Sequence, residues 1–149
     1  MLPAPQELRT YFVTSVTANR RRLFQVEITV NLFLEVLQDN RCKGHFALHA
    51  FVVMPDHFHA LLTPAQDVSL EKAMQFIKGG FSFRLKSKLD VWSRSFNETQ
   101  ILSREKFEAC KRYIEQNPVR KGIVLSAEDY AHSSACRPET IDPPPMHLR

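Results

Sequence analysis

His57-Phe58-His59 sets two imidazoles two residues apart inside the apolar run Ala47–Leu62, ALHAFVVMPDHFHALL. Side chains of a strand alternate between faces, so both histidines project from one side and Phe58 from the other. Two imidazoles on one face of a stiff strand make half of a metal site. The same spacing also suits two ordinary hydrogen-bonded strand histidines. A second segment, Tyr113–Gly122, carries a tyrosine with an amide side chain, Asn117, four residues on. At helical pitch that is about one turn, so both side chains can reach the same spot. A tyrosine at the edge of a buried stripe can equally be a core residue with its hydroxyl satisfied. His45, His49, His132 and His147 have no spacing that completes a site and read as structural or exposed.

The elements that must position these groups follow from periodicity. Tyr11–Thr17 is aromatic and β-branched and reads as a strand. Arg20, Arg21 and Arg22 follow in a basic loop. Val26 to Gln38 carries Val30, Phe33, Leu34 and Leu37 at helical spacing. Gly44–Met54 and His57–Thr63 are strands joined by Pro55-Asp56, which is turn chemistry for an antiparallel hairpin. Their near-continuous apolar character implies central strands buried on much of both faces. Asp56, beside the first histidine, could orient a ligand but reads first as a turn residue.

Asp67 to about Lys88 is a second helix, with Ser69 as its N-cap and Leu70, Ala73, Met74, Ile77, Phe81 and Leu85 as its apolar stripe. Gly79-Gly80 is expected to kink or split it. Lys72, Lys78, Arg84, Lys86 and Lys88 lie outside the stripe, either as a solvated face or as a cationic surface for a nucleic-acid backbone. Val91–Ile101 is irregular and has room for a short strand. Ser103 caps a third helix, whose buried side is Phe107, Cys110 and Ile114 and which ends near Asn117 because Pro118 follows. Residues 136–149 are Pro-rich and are expected to be a disordered tail behind a single domain over 1–135.

At 149 residues and 44% apolar content the chain can build one core without staples. Eleven Phe against one Trp implies an aromatic core. A net charge of +4 and a pI near 9.1 suit a nucleic-acid partner without demanding one. Cys42, Cys110 and Cys136 form no C-x-x-C pair, which argues against a disulfide framework or a cysteine zinc site and implies a reducing cytoplasm. MLPAPQELRT lacks the pattern of a signal peptide, and no run reaches the roughly 18 apolar residues of a membrane span.

Taken together, YIEQNPVRKGIV at Tyr113–Val124 and MPDHFHALL at Met54–Leu62 resemble the single-tyrosine HUH transposases, in particular the REP-associated tyrosine transposases and related insertion-sequence transposases. Supporting segments are YFVTSVTANRRRLF, FIKGGFSFRLK, VWSRSFNETQI and YAHSSA, so the resemblance spans roughly Tyr11 to Ala135. It implies an α+β, ferredoxin-like fold, an antiparallel sheet with helices packed on one face. It implies that His57, His59 and Asn117 ligate a divalent metal, Mg²⁺ or Mn²⁺, and that Tyr113 attacks a phosphodiester to give a 5′-phosphotyrosine. Gln116 is a poorer third ligand because it points about 100° away on an ideal helix. The implied partner is single-stranded, hairpin-forming DNA, and the tyrosine could act within the chain or across a homodimer. Arg20, Arg21, Arg22, Lys72, Lys78, Arg84, Lys86 and Lys88 are the expected DNA-binding cations. A first strand opening as early as Tyr11, where REP-associated members often carry a longer guide-reading segment, leaves specific hairpin reading outside what the resemblance implies. The rival readings are a catalytically inactive nucleic-acid-binding module of the same fold and a metal-dependent hydrolase using water.

Overall fold

The computed structural model describes residues 6–149, so the first half of MLPAPQELRT lies outside the described residues. Strands β1 (Thr10–Val16), β2 (Phe46–Met54), β3 (His57–Pro64) and β4 (Asn97–Ile101) form a four-stranded sheet in the order β2-β3-β1-β4, antiparallel throughout. Helix α1 (Glu27–Cys42) links β1 to β2, and α2 (Leu70–Leu85) links β3 to β4. That order of strands and crossovers is the ferredoxin-like arrangement. The Pro55-Asp56 turn is as tight as its residues imply, since Met54 pairs directly with His57.

Alternation sorts the sheet into two faces. Val13, Phe51, Val53, Phe58, Ala60 and Leu62 pack with the apolar stripes of α1 and α2. Phe24, Phe33, Phe58 and Phe81 gather around Trp92, each ring centroid 5.6–6.0 Å from the indole. Gly79-Gly80 does not split α2. A Cβ on Gly80 would lie 3.1 Å from Val36 Cγ1, so the glycine lets α1 and α2 approach closely.

Helices on one face describe α1 and α2 but not α3 (Arg104–Glu115), which covers the other face. There Phe107 and Ile114 meet Ala50, Val52, Met54 and Leu61. Those small and aliphatic residues leave a second apolar face that the two crossover helices cannot reach. Ser69 and Ser103 cap their helices as expected, each hydroxyl accepting a backbone N–H three residues on.

Residues 136–149, expected to be disordered, instead run against the sheet. Strand β2 is an outer strand, and its free edge is closed by chain that follows Tyr130. Val53 N–H donates to His132 O, Ser134 N–H to Phe51 O, and Asp142 N–H to Leu48 O. Arg41 grips the Asp142 carboxylate through Nε and Nη2 at 3.1 and 3.0 Å, and Leu48 N–H donates to it at 2.8 Å. Leu148 is buried against the α3 face. Proline-rich composition suggested disorder, but these backbone groups find partners along an otherwise open strand edge.

Asp142→Asn removes that charge and should destabilise the fold at pH 7 by about 1.5–3 kcal/mol, the range for a hydrogen bond to a charged group, measured by denaturant unfolding. Burial alone would raise the Asp142 pKa, but the Arg41 hydrogen bond and the Leu48 N–H outweigh it and hold it below the ordinary value. A depressed carboxylate contributes stability above its unfolded pKa of about 3.9 and loses it as pH falls through the folded value. The gap between wild type and Asp142→Asn should therefore close below about pH 4. Equal stabilities at pH 7 would rule out a stabilising role for this contact.

Candidate active site

His57 and His59 lie on the α3 side of β3, with ring centroids 4.8 Å apart. Each ring is held through one nitrogen. His57 Nδ1 is 2.7 Å from Asp56 Oδ1, and His59 Nδ1 is 2.7 Å from Oγ1 of Thr14, its cross-strand partner on β1. With the proton on Nδ1, Nε2 is the free donor atom of each imidazole. Asp56 is thus both turn residue and orienting carboxylate, and it also meets Arg20 Nη1 at 3.4 Å. Burial tends to raise its pKa, but hydrogen bonding and charge from His57, then from Arg20, hold it below the ordinary value. His59 is 9% exposed, and its pKa is driven down to about 4 by burial, by His57 and by the charges of Arg120 and Lys121. It is neutral at physiological pH, the form that ligates a metal.

Helix α3 brings the other two residues to the same place. Ile114 is fully buried, which leaves Tyr113 beside it at the rim, 52% exposed. The Tyr113 ring lies edge-on to Phe12 at 6.0 Å and 6.3 Å from the His59 ring. The helix stops at Glu115, and Pro118 lies near the start of a new short helix, α4 (Asn117–Arg120). That break turns Asn117 inward, 3% exposed, while Gln116 stays exposed. Asn117 Oδ1 is buried without a hydrogen-bond partner. His57, His59, Tyr113 and Asn117 share one cleft of about 530 Å³, with Arg20, Arg120 and Lys121 supplying positive charge around it.

The donor set fits a divalent cation. Two neutral imidazole nitrogens and an amide oxygen are compatible with a first-row divalent ion. The orphaned Asn117 oxygen is the more telling observation. An unsatisfied buried oxygen costs about 1–3 kcal/mol unless a partner is supplied, and a cation is such a partner. Among the described residues no group of three His, Cys, Asp or Glu side chains could hold a metal ion, so a site in this cleft would need a donor of another kind, such as the Asn117 amide.

The cations read from the sequence as a DNA surface do not gather here, apart from Arg20. Helix α2 packs on the opposite face of the sheet. Lys72 lies over Phe76, and Lys78 lies over Trp92 and donates to Ser93 O. Arg84 pairs with Glu35 and Asp39 on α1, and Lys86 closes α2 in a left-handed conformation. Arg21 is turned onto the carbonyl of Asp90, while Arg22 and Lys88 are exposed. Arg120 and Lys121 were not read from the sequence as site residues. Their signal was position, since they fall three and four residues after Asn117, one turn of helix further on.

Comparison with known proteins gives a consistent result. A family model described as "Transposase IS200 like" matches residues 6–117, a span that ends on Asn117. A REP-associated tyrosine transposase of Escherichia coli (strain K12) is 28% identical over 129 residues, covering 84% of this chain and 75% of that protein. The solved structure of a REP-associated tyrosine transposase bound to a REP hairpin superposes with a TM-score of 0.72 at 25% identity, over 96% of this chain and 89% of that one. A putative transposase from Deinococcus radiodurans shares the fold, with a TM-score of 0.55 at 20% identity over 78% of this chain and 95% of that one.

The environment of His59 can be read directly. In a histidine NMR titration it should lose its proton near pH 4 instead of near 6.5. Between those values the unfolded chain holds a proton that the folded chain does not, so this residue makes stability fall as pH drops through that window. A His59 pKa above 6 would contradict the burial and charge assigned to it.

Proposed function

The chain belongs to the IS200-like transposase family, and on that premise we propose that it cuts and rejoins single-stranded DNA through a covalent bond to Tyr113. The observation that most supports this reading is the convergence of Tyr113, His57, His59 and the unpartnered Asn117 oxygen on one cleft of a single chain. A binding module needs no phenol beside a histidine pair, and a hydrolase would need a positioned water instead of one. The substrate proposed is hairpin-bearing single-stranded DNA, as the related structure contains a REP hairpin.

A Mg²⁺ or Mn²⁺ ion held by His57, His59 and Asn117 would withdraw charge from the oxygens of the scissile phosphate. The protein's own groups do the rest. Asp56 and Thr14 hold the two imidazoles in orientation. Arg20 and Lys121 offset phosphate charge at the mouth of the cleft. The Tyr113 hydroxyl attacks phosphorus and gives up its proton. The bond from phosphorus to the 3′ oxygen breaks, and that oxygen leaves as a protonated 3′-hydroxyl. The 5′ end remains as a phosphotyrosine ester. Attack by another 3′-hydroxyl reverses the exchange, so rejoining needs no nucleotide cofactor. Tyr113 reaches the histidine face within its own chain, so catalysis in cis is proposed. No helix of the described residues is long and apolar enough to cross a membrane.

Labelled hairpin DNA incubated with the protein and Mn²⁺ should give a covalent adduct on denaturing gels. Tyr113→Phe should abolish the adduct with little loss of DNA affinity, and His57→Ala or His59→Ala should abolish it while leaving the fold largely intact. Binding should weaken steeply with salt, as expected for a surface that tracks phosphates. Adducts at the wild-type rate in Tyr113→Phe would remove Tyr113 as the nucleophile, and cleavage by wild type without any adduct would point to hydrolysis.

A further inference from the structure

We propose that Arg120 is a positioning residue for Tyr113, locking the phenol ring so that its hydroxyl points into the cleft; the catalytic half of this proposal rests on the reading of Tyr113 as nucleophile. The need arises from how α3 ends. The helix stops at Glu115, so the carbonyl of Tyr113 has no following turn of α3 to supply its hydrogen bond. Arg120, on α4, reaches back and donates from Nη2 to Tyr113 O at 2.7 Å. The same guanidinium lies over the Tyr113 ring, its Cζ 4.1 Å from the ring centroid. Backbone and side chain of one residue are thus held by one rigid planar group.

The rest of the cage is incomplete without it. Phe12 and His59 meet the ring edge-on at 6.0 and 6.3 Å, and the residue is otherwise half exposed. A surface tyrosine without a further contact would be free to swing into solvent, and each such excursion removes the nucleophile from the phosphate. Arginine suits the task better than lysine, because the planar fork can stack on an aromatic face and donate in its own plane at once, whereas an ammonium cannot.

The test compares wild type with Arg120→Gln and Arg120→Lys on labelled hairpin DNA, measuring affinity, the salt dependence of binding and the single-turnover rate of adduct formation at saturating DNA. Arg120→Gln should slow the saturated rate by about 10- to 100-fold, the cost of a misplaced reacting group, with affinity and salt slope close to wild type. Arg120→Lys should stay within about threefold of Arg120→Gln, because charge without the planar contact does not hold the ring. A wild-type rate in Arg120→Gln, or full recovery in Arg120→Lys, overturns the proposal. So does a salt slope reduced by about one with an unchanged saturated rate, which would make Arg120 a phosphate contact instead. An independent readout needs no DNA. In protein with ring-labelled tyrosine, Tyr113 should show restricted ring motion in wild type and free averaging in both variants, and identical line shapes in all three would refute the positioning role. Absence of any adduct in wild type would instead defeat the nucleophile reading, leaving the ring-motion result to decide the positioning.

Discussion

Phe58 is fully buried between Phe33, at 4.8 Å, and Trp92, at 5.6 Å, and the site depends on that placement. Neighbours on a strand point to opposite faces, so anchoring Phe58 among the α1 and α2 aromatics forces His57 and His59 to the other side. A slip of one residue in β3 would bury both imidazoles in the aromatic core and expose a phenylalanine, at a cost of several kilocalories per mole. The hairpin turn and six cross-strand pairs to β1 set the same register. One hydrophobic side chain thereby fixes the direction of two polar ones.

The opposite face is used differently. In the ferredoxin-like arrangement both crossover helices lie on one side, which leaves a bare apolar face over β2 and β3. Helix α3 covers part of it and stops short of the end of β3 where the histidines stand, so a cleft remains at the edge of the packed region. Its placement is reinforced by polar contacts from the chain that follows. Glu115 accepts a hydrogen bond from Ser134, whose hydroxyl also takes the Phe51 N–H, and the Tyr130 hydroxyl donates to Val53 O. The closing segment therefore serves two ends, sealing the open edge of β2 and tying down the helix that carries Tyr113.

Stability is given up locally around the cleft. Asn19 and Arg20 both hold positive φ, at 56° and 51°, an unfavourable conformation for residues other than glycine, next to the point where Arg20 meets Asp56. Asn117 keeps a buried oxygen without a partner, and His59 is held neutral under burial and nearby positive charge. Of these features, the unpartnered Asn117 oxygen is the one that a cation would satisfy under the chemistry proposed above.

Local periodicity was enough to read the hairpin, the shared face of His57 and His59, the serine caps and the one-turn spacing of Tyr113 and Asn117, because each depends only on residues a few positions apart. The order of elements along the chain followed from the same patterns, and the ferredoxin-like fold and the family followed from the quoted motifs, while the sheet order β2-β3-β1-β4 came from the structure. Other features needed distant parts of the chain to meet. The placement of α3 on the second face depends on which apolar surface α1 and α2 leave uncovered. The removal of the α2 lysines from the cleft follows from the same choice. The order of residues 136–149 depends on an open strand edge far away in sequence, and the stacking of Arg120 on Tyr113 depends on how sharply the chain turns at Pro118. Sequence spacing determined which groups could share a site, and tertiary packing decided which of them meet, because the direction of a side chain is local while its neighbours are not.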